Sequence, residues 1–548
     1  MLVSPREQER NPSLTIIDAA TVGLLPSFDR AVSSSQTFAQ IGDWISSCRC
    51  LPIRRQSDEK SGFRPTRLVD LLTEYDDETM TVRLAADLDV TSYVCLSCCW
   101  GGDHEMILRA NNMQETSAWK FSVSSMPVVF REAFAIARGL GFRFLWIDGL
   151  CIVQDDPIDK EREILQMPNI YRGADLTICA SASASCHESF LFDRPDYSEN
   201  KLAVALENGE IGHIYIDSFR SWNPPVKEPV STRAWAFQER LLSRRILEYG
   251  WRTVRWMCDC SEGYAGHAVP LKRTPKNMPH GQIGTDRPQY GVYRMLDPNG
   301  LRRLPSSRDD MFETWRSMVG EYSKRKLSDP NDRLAAIGGI AAYLEHKVGV
   351  RYLAGLWEHE RLPTMLQWRV VSLPETRAGH SRVQRAPSWS WASVDAEVLM
   401  QASRNLAKCF EIVDVMVQGG FGRIATGRIT VRGPVTQTLP WNEKTVWNIG
   451  AIKEGITVVD DEKSCFTVFA DSQEDLDALA GSEVAKEKRH LCLLGVGRAH
   501  TDPNVMRGLV LANVNGRRDL YERLGLFQRV PNGSIKRCSW NIAQLTIV

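Results

Sequence analysis

The sequence predicts an α/β fold followed by a mixed α+β region with a β-rich end. Three observations carry this. Apolar runs at 93–96, 142–147 and 176–180 alternate with helical stretches, the pattern of a parallel sheet. A helical region lies near 311–344. Beyond about 405 short β-branched runs recur between Gly and Pro, which suits a small antiparallel sheet or barrel.

The elements follow in order. Residues 1–90 read as a leader, with a helical piece at 38–47, a stretch at 65–70 and an acidic, solvated turn at 74–78. The 91–240 segment opens with the strand at 93–96, ended by Trp100-Gly101-Gly102. Ser124, Ser125 and Pro127 mark a helix start. Val129, Ala133, Ile136, Ala137 and Leu140 then share one helical face. Gly139 and Gly141 end that helix, and 142–147 reads as a buried strand. A loop over 148–156 leads to a short helix at 159–167, which Pro168 kinks or ends. The strand at 176–180 follows. Residues 241–404 form a mixed helical, Trp-rich region, and 405–548 the β-rich end, with runs at 427–431, 465–468, 491–494 and 508–511.

Composition excludes several classes. Of 548 residues, 67 are Lys or Arg and 67 Asp or Glu. That balance argues against a basic nucleic-acid sleeve or an acidic tail, so no nucleic-acid partner is expected. No apolar stretch approaches 18 residues, so no membrane span is expected. The N-terminus lacks a secretory signal, and 14 cysteines read as reduced thiols of an intracellular, cytoplasmic protein.

In a parallel sheet, ligands bind beyond the carboxyl ends of the strands. One predicted strand ends in Ser97-Cys98-Cys99-Trp100-Gly101, another in Asp148, with Asp155 and Asp156 following. If the two strands are parallel, these groups share an edge, and Glu163 on the next helix faces the same crevice. Carboxylates there suit a ribose or another hydroxyl-rich ligand. The same Asp155, Asp156 and Asp159 also suit helix capping. Cys98 and Cys99 read as packing residues, because nothing places His104 as the base a nucleophilic thiol needs. Cys48-Arg49-Cys50 and Cys258-Asp259-Cys260 have the wrong spacing for zinc, and no metal is assigned. Neither GxxxxGK[ST] nor GxGxxG after a strand is present, and no cofactor is expected. Gly338-Gly339 reads as helix packing or a turn. Among 16 tryptophans, Trp389 and Trp391 alternate with small residues, as in a strand burying both rings on one face.

Three segments resemble fungal heterokaryon-incompatibility (HET) domain proteins. Tyr93 through Gly101 is similar to the family's YxxLSYxWG. Gly141 through Asp156, continued by Asp159, Glu163, Met167, Ile170-Tyr171, Ala174 and Thr177-Ile178, is similar to LGxRYLWIDxLCIxQDD…DWxxExxxMxxIYxxAxxTI. Arg233 through Ser243 is similar to RGWTLQERLLS. Segments at 329–334, 352–357 and 387–395 are similar to stretches downstream in such proteins. Cys98 stands for the usual Tyr, Lys160 for Trp, Ala234 for Gly and Arg244 for Pro. The resemblance implies non-self recognition and regulated cell death, with self-association or a protein partner. It also implies kinship to Toll/interleukin-receptor (TIR) domains, which are flavodoxin-like and some of which cleave NAD with a helix-borne Glu. Glu163 is the residue this would make catalytic, NAD the substrate, and Ser97, Trp100, Gly101, Asp148, Asp155 and Asp156 the ligand-binding neighbours. Two alternatives stand beside the incompatibility effector: a TIR-like NAD glycohydrolase, and a biosynthetic enzyme that has reused the fold.

Overall fold

The computed structural model describes residues 31–48, 63–72, 78–102, 106–112, 118–194, 201–205, 211–215, 228–251, 254–258, 262–264, 308–371, 385–400, 406–408, 410–422, 425–436, 456–460, 463–472, 475, 491–499, 506–514, 517, 519–529 and 541–548. His104, Cys50, Cys260 and most of the acidic turn at 74–78 lie outside them.

Among the described residues the first 264 build one nine-stranded mixed sheet. Its strands are β1 (Arg67–Asp70), β2 (Thr79–Leu84), β3 (Val94–Ser97), β4 (Ala118–Ser122), β5 (Phe144–Trp146), β6 (Leu176–Cys179), β9 (Arg245–Tyr249), β10 (Val254–Cys258) and β11 (Glu262–Tyr264). A separate hairpin holds β7 (Lys201–Ala205) and β8 (Ile211–Tyr215). The order is β11-β10-β9-β6-β3-β5-β1-β2-β4. The centre, β9-β6-β3-β5, is parallel, and antiparallel strands extend both sides. Thus β1 and β2, in the predicted leader, are strands of the same sheet.

Numbered by chain order, the four parallel strands run 2-1-3-4 across the sheet. The chain steps one way from β3 to β5 and the other way afterwards. The carboxyl ends of β3 and β6 therefore flank the point where the winding reverses, where open sheets bind ligands. Right-handed crossovers put α2 (Val128–Gly139) on one face. They put α4 (Pro157–Gly173) and α5 (Ala234–Leu242), which pack together, on the other. Helix α1 (Ser35–Ser47) lies on the α2 side, with the Phe38 ring against Gly139. On α2 the predicted face is buried through Val129, Ala133, Ile136 and Ala137, and Phe130 and Phe134 widen it.

Two local expectations are corrected. The loop after β5 contains a four-residue helix, α3 (Asp148–Cys151). Helix α4 does not stop at Pro168 but continues to Gly173. Proline removes one N–H and crowds the preceding turn, and packing offsets this. Helices α6 (Arg308–Tyr322) and α7 (Ala335–Val348) follow the sheet, and α7 lies across α4 and α5. A Cβ on Gly339 would come within 2.2 Å of Pro168 Cγ, and the Gly339 N–H donates to Gln238 Oε1 at 2.8 Å. Gly338 also meets the Phe421 carbonyl closely, at 2.6 Å for an added Cβ. The glycine pair is a helix-packing device.

The second core gathers α6, α7 and the Trp-rich segment. Trp315, Trp357, Trp368, Trp389 and Trp391 are fully buried there. Trp389 and Trp391 are core residues, but not on a strand. Ser390 caps a 3-10 turn at Trp391–Ser393, and the Trp315 and Trp391 indoles both donate to the Gly355 carbonyl.

The β-rich end holds β12 (Thr426–Thr436), β13 (Leu491–Ala499), β14 (Met506–Asn513), β15 (Leu520–Arg529) and β16 (Asn541–Ile547) among its strands. Their pairings β12-β13-β14-β15-β16-β12 form a closed ring, antiparallel except between β15 and β16. Arg523, on the Leu520–Arg529 strand of this ring, is fully buried, paired with Asp471 at 2.7 Å and donating to the Leu366 and Trp368 carbonyls.

Candidate functional site

The site lies where β3 ends. Ser97 is the last residue of that strand and is buried. Its hydroxyl donates to Glu239 Oε2 at 2.5 Å. Glu239 sits on α5, 2 % exposed. Tyr171, near the end of α4, donates to the Leu96 carbonyl at 3.0 Å, and its hydroxyl also bears on Glu239. Arg233, at the cap of α5, donates to the Cys98 carbonyl. Trp100 Nε1 donates to Asp148 Oδ1 at 3.1 Å, and Asp148 also accepts the Gly149 N–H. Gly101 has φ 79° and packs so tightly on the loop after β6 that a Cβ would lie 2.3 Å from Ser185 Cβ. Glycine is required there on both counts.

The charges are interdependent. Burial pushes the Glu239 carboxyl up, and Asp148 adds to this, while Arg233, Ser97 and Tyr171 pull it back without cancelling the rise. Burial works against the Arg233 charge, but Glu239 and Asp148 more than compensate and hold the guanidinium protonated. Burial and then Asp148 push the Cys98 thiol far up, which leaves it a thiol and removes the nucleophile reading. The result is two carboxyl groups and one arginine, with a hydroxyl and a phenol, gathered where β3 ends; Trp100, Asp148 and Arg233 are half-buried there and Gly101 is exposed. A carboxyl with a raised pKa beside a second acid is the arrangement that separates a proton donor from an acceptor.

The predicted residues divide into groups. Ser97, Trp100, Gly101 and Asp148 share this edge, since β3 and β5 are parallel. Asp155 is exposed and accepts the Ala110 N–H. Asp156 caps α4, accepting from the Ile158 and Asp159 N–H groups, with Pro157 in the first turn, so the capping reading holds for it. Asp159 does not cap. Burial disfavours its charge, but Arg67 pairs with it at 2.6 Å, Val153 N–H donates to it, and its carboxyl stays low. Glu163 is 1 % exposed and accepts from Thr66 Oγ1 at 2.6 Å and from Arg162 at 3.3 Å. Its Oε2 is buried without a hydrogen-bond partner. Glu163 thus belongs with Thr66 and Arg162, whereas Ser97 and Asp148 gather around Glu239 and Trp100.

Glu239, Arg233 and Tyr171 join the site although the sequence motifs point to other residues for its chemistry. A signal existed: Glu239 lies three residues from both Ala236 and Leu242, on the apolar stripe of α5, where an acid is buried. Its segment is accounted for residue by residue. Trp235 Nε1 donates to Asp332 at 3.2 Å. Gln238 takes the Gly339 N–H. Arg240 pairs with Glu248 on β9, which also takes Arg255 at 2.7 Å and the Ser181 hydroxyl. Among the described residues no group of His, Cys, Asp and Glu could hold a metal ion, and no helix is long and apolar enough to cross a membrane.

Residues 93–239 match the family model described as Heterokaryon incompatibility protein (HET). The matched segment contains Ser97, Asp148, Tyr171 and Arg233 and ends at Glu239. No curated protein and no solved structure matches the chain.

Proposed function

Because the chain carries a heterokaryon incompatibility (HET) domain, we propose that it is an incompatibility effector: it acts in fungal non-self recognition and regulated cell death through the edge of the sheet at Ser97, Asp148, Arg233 and Glu239. One observation carries this reading. Residues far apart in the sequence, from the three segments similar to the family, meet at one cluster through Ser97, Tyr171 and Glu239. Structural need alone favours apolar residues at such buried positions, and a site is where that cost is met. The test is inducible expression of the full chain in a filamentous fungus, beside Glu239→Gln and Asp148→Asn. Loss of growth with the native chain, abolished by either variant at equal protein level, supports the reading. Unimpaired growth with the native chain overturns it.

A second reading is hydrolysis of NAD. It draws on the 2-1-3-4 order of the parallel strands, the order of flavodoxin-like and hence TIR-like domains, and on the raised carboxyl of Glu239. NAD consumption by purified full-length protein, compared with Glu163→Ala and Glu239→Gln, tests it. Turnover lost only with Glu163→Ala places the chemistry on α4, and turnover lost only with Glu239→Gln places it on α5. Absence of turnover at high protein concentration removes this reading and leaves the first.

A further inference from the structure

The arginine of the site is held from outside the matched segment. The Ala234 N–H donates to the Lys326 carbonyl at 2.9 Å, and the Lys326 N–H donates to the Thr232 carbonyl at 2.7 Å. Arg233 and Lys326 thereby form a parallel bridge. Arg325 Nη1 donates to the Arg233 carbonyl at 3.3 Å, and its guanidinium lies 4.7 Å over the Phe237 ring of α5. One turn further on, Asp332 takes the Trp235 indole. Arg333 reaches the Ala396 carbonyl at 2.5 Å and lies over Trp391. The backbone of Arg233 is thus gripped by residues 325–326, and those are tied through 332–333 to the tryptophan core.

We propose that Arg325 and Lys326 are positioning residues for Arg233, so that the region after the HET domain is a working part of its site rather than an appendage. Arg233 is the cation that pulls the Glu239 carboxyl down against its burial, and its own segment is a short 3-10 turn, Pro229–Thr232, whose Val230 carbonyl takes the Arg233 N–H, followed directly by α5. The inference rests on Arg233 and Glu239 forming the site, and not on any activity of the domain.

The test uses the full chain with Arg325→Ala, Arg325→Lys and, to assign the titration, Glu239→Gln. Hydrogen exchange is followed by mass spectrometry. The net loss of one hydrogen bond, about 1 kcal/mol, corresponds to about fivefold in a local opening equilibrium. Arg325→Ala is therefore expected to speed exchange about fivefold over residues 232–236, while β3 and β6 keep native rates. The Glu239 carboxyl, read as the infrared difference between native protein and Glu239→Gln, is expected to titrate at higher pH in Arg325→Ala, because the guanidinium beside it is less well held. Arg325→Lys, which keeps a cation over Phe237, is expected to recover part of both. Exchange and titration unchanged in Arg325→Ala overturn the proposal. So does faster exchange spread evenly through β3 and β6 with the Glu239 midpoint unmoved, since that is a general loss of stability. Growth arrest plays no part in these readouts, so failure here is distinct from failure of the proposed function.

Discussion

Glu248 allows a prediction that can be worked through. It is 1 % exposed on β9 and faces Arg240, Arg255 and the Ser181 hydroxyl. Burial raises its carboxyl, but the two arginines win and hold it at about 2 instead of the ordinary 4.5. A carboxyl lowered in the folded state adds stability above its unfolded pKa and loses it as pH falls through the folded one. Here the contribution is about 3 kcal/mol at neutral pH, and about 2 kcal/mol of it disappears between pH 5 and pH 3. Glu248→Gln has no carboxyl to titrate. It takes the carboxylate away from both arginines, a cost of about 3–5 kcal/mol at pH 7, and arginine stays charged throughout this range. The native protein should therefore exceed the variant by several kcal/mol at pH 5, and that gap should narrow by about 2 kcal/mol at pH 3. Urea unfolding, followed by hydrogen exchange of the peptide covering 245–249, measures the gap at each pH. A gap that is the same at both values, or widens in acid, refutes the assignment of this stability to an ionised Glu248.

Three further outcomes follow from distances. Ser97→Ala removes the hydroxyl that donates to Glu239 Oε2 and leaves a buried carboxyl oxygen short of a partner, an expected cost of about 1–3 kcal/mol, measured by denaturant unfolding at neutral pH. Gly101→Ala places a Cβ 2.3 Å from Ser185 Cβ at a positive φ and is expected to lower stability by about 1–3 kcal/mol, read as a drop in Tm. Gly339→Ala drives a Cβ into Pro168 at 2.2 Å, so α7 must lift from α4 and α5. The expected loss is about 1–3 kcal/mol, and Gly339→Ala combined with Pro168→Ala should recover part of it in a double-mutant cycle.

The strands legible in the sequence are those in predominantly apolar runs. The runs at 142–147 and 176–180 became β5 and β6 because a parallel strand covered on both faces has no polar side to show. The charged strands were hidden. β1 begins with Arg67 and ends with Asp70, and β9 contains Arg245 and Glu248, yet all four are buried. Their charges are met inside the protein: Arg67 by Asp159, Asp70 by Arg143 at 2.8 Å, and Glu248 by two arginines. A paired buried charge looks in sequence like a surface residue. Glu239 escaped notice for the same reason, since nothing local to α5 announces that its partner is Ser97, 142 positions away in the chain. Trp389 and Trp391 misled in the opposite sense. Their alternation mimics a strand, but the Ser390 hydroxyl takes the Ala392 N–H and turns the chain into a 3-10 helix.

The position of β1 and β9 also decides how the domain can be handled. A fragment trimmed to residues 93–239 would lose β1 from the side of β5 and β9 from the side of β6. Phe144–Trp146 and Leu176–Cys179 would then be bare outer strands with fully buried, uncharged side chains. Such edges template intermolecular pairing. A trimmed fragment that precipitates, or that kills a host through insoluble deposits, would be reporting on its severed sheet and not on any activity of the domain. Expression of this domain for any assay therefore has to start before Arg67 and run past Tyr264.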